Sequence, residues 1–153
     1  VVAISGGAGR IGTAFSRAVV ENNGKIIIGD VAENKRQNLV MELGEENAHF
    51  VKCDLTDPTE ISHFIESGLK KFNQIDAAVH CSYPKSSQWG TRFEDLKPIE
   101  LKEDLFNQIG SAILFSQVFI TKYIRKWPEG FRFQPPPRRE IGDAEQDQSL
   151  LRP

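Results

Sequence analysis

The sequence predicts an α/β fold, a doubly wound parallel sheet, and three observations carry that prediction. Apolar runs of strand type alternate with segments whose apolar residues recur at helical spacing, from residue 1 to about residue 127. Glycines at 6, 9 and 12 fill the turn between the first run and the first helix. An acidic residue, Asp30, closes the second run. Alternation of strand and helix implies parallel pairing with right-handed crossovers, and the strand order typical of a sheet of this type is 3-2-1-4.

Residues 1–5 (VVAIS) form the first strand. Ile11, Ala14, Phe15, Ala18 and Val19 then mark a helix over about residues 10–20. The segment ENNG at 21–24 stops it, with Gly24 at the C′ position. Glycines at these offsets let the backbone turn tightly, come close to a pyrophosphate and pack the helix against the strand. The helix start adds free N–H groups and the positive end of its dipole. Ser5, Gly6, Gly9, Arg10, Ile11 and Gly12 are therefore candidate cofactor-binding residues, with Arg10 placed to reach a phosphate.

Residues 25–30 (KIIIGD) are a second strand, continuously apolar as in a strand covered on both faces. Asp30 lies about 20 residues past the glycine turn, where a carboxylate accepts both hydroxyls of an adenosine ribose. Its structural alternative is a turn residue, or an N-cap for the segment starting near Ala32. Asp30 repels a 2′-phosphate, and Val31, a candidate cofactor-binding residue with it, and Ala32 follow without a cation. We expect NAD rather than NADP.

A second helix spans about 33–43 and ends at Gly44; a third strand covers 49–54. The third helix has a strong start: Asp57 can cap, Pro58 suits the first helical position, and Glu60 occupies N3. Ile61, Phe64, Ile65 and Leu69 are its buried stripe. A fourth strand runs over 77–82, followed by a loop of about 16 residues that carries Tyr83, Pro84, Trp89 and Gly90. That loop leaves the carboxyl end of the fourth strand beside the topological switch point, so it either contacts substrate or is a solvated connector with packed aromatics. A long amphipathic helix over 98–127 presents Leu105, Phe106, Ile109, Ala112, Ile113, Phe115, Phe119 and Ile120 to the sheet or to a partner.

The chain resembles the N-terminal half of a short-chain dehydrogenase/reductase, with a Rossmann-type fold. Ser5-Gly6-x-x-Gly9-x-Ile11-Gly12 is similar to the superfamily's glycine-rich loop. Asp54-Leu55 is similar to the Asp–hydrophobic pair that contacts adenine in the family. His80, Cys81 and Ser82 stand where the short branch carries Asn-Asn-Ala-Gly, beside the cofactor. The segments from Tyr83 through Gly90, from Phe93 and from Gly110 to Gln117 resemble oxidoreductases of flagellin and surface-sugar modification. The resemblance implies homodimerisation through the helix at 98–127 and a catalytic-site Asn there. Asn107 is the nearest candidate, and its plainer account is an exposed helical Asn.

The resemblance also implies a fifth strand bearing a Ser and a helix bearing Tyr-x-x-x-Lys. Neither Tyr83 nor Tyr123 has a Lys four positions on; Tyr123 has Lys126 at three. The phenol would supply the proton that accompanies hydride transfer, the Lys would lower its pKa, and the Ser would polarise the carbonyl. We therefore expect a chain truncated before its catalytic residues, which alone does not turn over substrate. From residue 128 the sequence is Pro-rich and charged, with the character of a disordered tail over 128–153 and of an out-of-frame or spliced ending. The domain proper is then 1–127. A chain that opens inside a strand without Met also leads us to expect residues upstream of Val1.

Composition narrows the function classes. At 153 residues with 39% hydrophobic content, one core is the prior. A net charge of −2 leaves no electrostatic footprint for nucleic acid or an anionic membrane. Without an apolar run of spanning length or a signal peptide, a cytoplasmic protein is expected. Cys53 and Cys81 end strands three places apart, about 14 Å at strand spacing, too far for a disulfide. The scattered His49, His63 and His80 make no metal-ligand pattern. Three classes stay open: an NAD(P)-linked oxidoreductase acting on a small carbonyl or hydroxyl compound, a non-catalytic NAD-binding module, and a truncated product. Within the first, a fragment of an extended-type nucleotide-sugar epimerase or dehydratase competes.

Overall fold

The computed structural model describes residues 1–123. The expected helix end at 124–127 and the expected disordered tail at 128–153 lie outside the described residues. Four strands, β1 (Val2–Ser5), β2 (Ile26–Asp30), β3 (Ala48–Lys52) and β4 (Ala77–His80), form one parallel sheet in the order β3-β2-β1-β4. This is the expected order. The register sets Ser5 beside Gly29 on one side and His80 on the other, so the carboxyl ends of the central strands finish level.

The helices are α1 (Arg10–Glu21), α2 (Arg36–Leu43, entered through a 3₁₀ turn at Glu33–Lys35), α3 (Pro58–Phe72), α4 (Pro98–Leu105) and α5 (Ser111–Tyr123). Because strand side chains alternate between faces, β2 sends Ile27 into one core and Ile26 and Ile28 into the other. The first core packs Ile27 and Ala3 against Ile61, Phe64 and Ile65 of α3 and Phe115 of α5. The second packs Ile4, Ile26 and Ile28 against Leu39 and Leu43 of α2.

The α3 start behaves as its residues dictate. Asp57 accepts from the Thr59 and Glu60 N–H groups, with Pro58 at the start of the helix. Glu60 reaches one turn further back than a capping box requires and accepts the Asp54 N–H at 2.6 Å. Ile61, Phe64 and Ile65 are buried as the spacing predicts, and Leu69 is half-buried behind Gly68. A Lys122–Glu66 ion pair ties α5 to α3.

Four expectations need correction. The α1 stripe of Ile11, Ala14, Phe15 and Ala18 faces outward: Ile11 is 64% and Phe15 46% exposed, while Gly12 and Ser16 are buried. A Cβ on Gly12 would stand 2.3 Å from the Gly6 carbonyl oxygen, so α1 lies too close to the glycine turn for a bulky face. The left-handed residue after α1 is Asn23, at φ 61°, rather than Gly24, which donates its N–H to Val19 O at 2.8 Å. The third strand ends at Lys52 instead of residue 54, because the Asp54 N–H turns to Glu60.

The long helix, finally, is interrupted. A π turn at Phe106–Gly110 separates α4 from α5, with the Phe106 ring lying where a Cβ on Gly110 would be. The extra residue of a π turn rotates the helical register. The expected single apolar face therefore splits: Phe115 is buried, while Leu105, Phe106, Ile109 and Ile113 are at least half exposed. No helix among the described residues is long and apolar enough to cross a membrane.

Candidate functional site

The site is built where β1 gives way to α1. Gly6 adopts φ 67° and donates its N–H to Gly29 O at 2.7 Å, which pins the turn to β2. A Cβ on Gly6 would meet the Ser82 backbone at 2.6 Å, so the exit of β4 closes against the same turn. Gly9 is the N-cap of α1 and supplies no capping side chain, so no side chain caps the first N–H groups of the helix.

Around this turn lies a cleft of about 560 Å³ at the carboxyl ends of the strands. The glycine turn contributes Gly6, Gly9, Arg10 and Ile11, and the end of β2 contributes Asp30 and Val31. Cys53 and Leu55 line it after β3, and residues 81–85 line it after β4. It is the crevice at the switch point of strand order, where open α/β sheets bind ligands.

Asp30 faces this cleft while holding the turn. Its Oδ2 accepts the Ala8 N–H and its Oδ1 accepts the Ala32 N–H, each at 2.9 Å. Both oxygens keep a further lone pair. The turn-residue role and a ligand role are thus compatible in one side chain.

Of the sequence-predicted residues, Gly6, Gly9, Arg10, Ile11, Asp30, Val31, Leu55, Cys81 and Ser82 come together on the cleft. Ser5, Gly12, His80 and Asp54 are not among its lining residues. Gly12 is buried beneath the turn. Ser5 Oγ and His80 Nδ1 lie 2.7 Å apart, joining neighbouring strand ends just below the cleft. The His80 ring packs 5.8 Å from that of Phe115, and its Nε2 is buried with no hydrogen-bond partner. Burial lowers the His80 pKa, so the ring is held neutral. Asp54 turns to Thr56, accepting its N–H at 2.9 Å and its hydroxyl at 2.7 Å. Asn107 sits half-buried within the π turn and does not line the cleft.

Sequence reasoning missed Cys53 and Lys85 as lining residues. Cys53 carried the signal of a buried hydrophobe, and it is 1% exposed, with burial pushing its thiol up to about 12. Burial also raises the Cys81 thiol. Both cysteines are free. Lys85 lies three residues into the loop at 82–97, which is more than a slack connector. The Ser86 N–H donates to Asp104 Oδ1 at 3.0 Å, and the Tyr83 and Trp89 rings meet edge-on at 5.2 Å. Among the described residues no group of His, Cys, Asp or Glu could hold a metal ion.

Residues 1–126 match the short chain dehydrogenase family. The chain belongs to that family. As a family, short-chain dehydrogenases bind NAD(P) and small-molecule substrates. The chain is 29% identical over 134 residues to post-translational flagellin modification protein A of Campylobacter coli, covering 85% of this chain and 52% of that protein. It is 33% identical over 76 residues to short-chain dehydrogenase reductase 5 of Arabidopsis thaliana, covering 50% of this chain and 29% of the relative. A short chain dehydrogenase from Bacillus anthracis superposes with a TM-score of 0.72 at 19% identity, over 82% of this chain and 50% of the other. A 3-ketoacyl-(acyl-carrier-protein) reductase from Brucella melitensis, complexed with NADH, gives 0.68 at 19% identity, over 78% and 48%. The two solved structures share the fold. This chain spans about half the length of the flagellin modification protein and of both solved chains.

Proposed function

We propose that the chain binds NAD in the cleft at the carboxyl ends of β1, β2 and β4, as the cofactor-binding half of a short-chain oxidoreductase. The carrying observation is the glycine turn, where a Cβ on Gly6 or Gly12 would strike backbone and where Gly9 leaves the helix start uncapped. A diphosphate there meets backbone N–H groups and Arg10. The free lone pairs of Asp30 suit the two ribose hydroxyls, and its charge opposes a 2′-phosphate. The bound cofactor would supply the hydride. Leu55 would cover the adenine, with Asp54 at its edge once released from Thr56. Ser5 and His80 would act from beneath, fixing the ends of β1 and β4. The NADH-bound structural neighbour supports this reading.

A small carbonyl or hydroxyl compound is the proposed substrate, met by the loop at 82–97, and Asn107 is the one candidate catalytic side chain. The Ser and the Tyr-x-x-x-Lys pair do not fall within these 153 residues, and cofactor binding is the role proposed for this stretch of chain. The exposed Leu105, Phe106, Ile109 and Ile113 support homodimerisation along α4 and α5, and the free thiols suit a cytoplasmic location. Calorimetric titration with NAD and NADP tests the reading. NAD should bind at least about tenfold more tightly, equivalent to ~1.4 kcal/mol. Equal affinities would remove the Asp30 assignment, and no binding of either would remove the function.

A further inference from the structure

We propose that Lys85 is a second cation for the diphosphate, acting from the β4 side of the cleft as Arg10 acts from the α1 side. The inference rests on the dinucleotide reading above and adds a contact that the glycine turn does not supply.

Lys85 lines the cleft together with Gly6, Gly9 and Arg10. Its Nζ stands 5.2 Å from the centroid of the Trp89 ring, and Trp89 in turn packs edge-on against Tyr83, another lining residue. The ammonium thus rests on an aromatic face inside a loop that Ser86 and Asp104 fasten to α4. A cation on a ring face keeps its N–H donors free, which a cation locked to a carboxylate does not.

Charge points the same way. Among the described residues no carboxylate lies within ion-pair distance of Lys85 or of Arg10. The carboxylate that lines the cleft, Asp30, keeps its charge at the end of β2, where it accepts the Ala8 and Ala32 N–H groups and pairs with neither cation. The cleft is therefore lined by two cations without a carboxylate partner among the described residues, and a diphosphate is a ligand that matches them. A lysine approaches phosphate as a compact point charge, so it needs no fixed fork geometry from the loop.

Lys85 is exposed, and its replacement leaves the core untouched. The test is titration of the 153-residue chain and of Lys85→Gln with NAD, ADP-ribose and adenosine. Loss of one charge-assisted contact at a partly solvated site should weaken NAD and ADP-ribose by about five- to tenfold while adenosine is unchanged. Lys85→Arg should stay within about twofold of the parent, and rising salt should narrow the gap between parent and Lys85→Gln. Trp89→Leu, which removes the platform, should weaken NAD in the same direction by less. Unchanged NAD affinity in Lys85→Gln would overturn the Lys85 assignment and leave the dinucleotide reading standing. Equal weakening of adenosine would also overturn it, since the diphosphate would not be the group concerned. A parent chain that binds neither NAD nor ADP-ribose would remove both.

Discussion

The two faces of the sheet are packed by different rules. On one, α3 and α5 meet the strands through large rings: Phe64 is fully buried, and its ring stacks 6.1 Å from that of Phe115. On the other, α1 meets them through Gly12 and Ser16 and turns its larger apolar residues to the outside. The first face is filled by volume and the second by proximity. The difference follows from the glycine turn, which needs the start of α1 within contact of Gly6 and so admits no side chain there.

Deleting volume should hurt the first face most. Phe64→Ala should cost ~3–5 kcal/mol in denaturant unfolding, because the ring is fully buried and Gly29 and Ile61 cannot collapse into its place. Adding volume should hurt the second. Gly12→Ala puts a methyl 2.3 Å from the Gly6 oxygen, and should cost about 3 kcal/mol and remove NAD binding along with it. A harmless Gly12→Ala, or a Phe64→Ala that costs less than about 1 kcal/mol, would remove the distinction between the faces.

A smaller effect belongs to His80, whose ring sits on the Phe115 side. Burial holds it neutral, below its ordinary value of 6.5. The unfolded chain takes up a proton there before the folded chain does, so the unfolded state binds more protons as pH falls. Stability should therefore decline from about pH 6.5 downward, and level off once the folded ring is charged as well. His80→Asn should lack that part of the decline; parallel stability–pH curves for parent and variant would contradict the assignment. The smallest effects belong to the outer side of α1. Ile11→Ser and Phe15→Ala should each change stability by less than about 1 kcal/mol, against several for Phe64→Ala.

The same contrast explains what the sequence made legible. The strand order, the glycine turn, the Asp57 cap and the α3 stripe all follow from local chemistry, and each is found as expected. The face of α1 was not legible from periodicity, because an apolar stripe marks a helix but close approach selects for small residues instead. The π turn at Phe106–Gly110 was hidden for a related reason: Leu105, Phe106, Ile109 and Ala112 keep helical spacing across it, and only the seating of Phe106 over Gly110 reveals it. The Asp54-Leu55 pair marks a position and not an orientation, and the Asp54 side chain answers to Thr56 two positions on. Lys85 had no periodic signal at all, since its place depends on Trp89 and on the loop's tie to Asp104.

The function proposed here stands or falls with a dinucleotide diphosphate at the turn held close by Gly6 and Gly12. Amide chemical shifts of the 153-residue chain, followed while NAD is added, report on it directly. Saturable shifts are expected at Gly9, Arg10 and Ile11 and at Ser82 across the cleft, with α4 silent. Shifts confined to other segments, or none at the turn at saturating NAD, would contradict it.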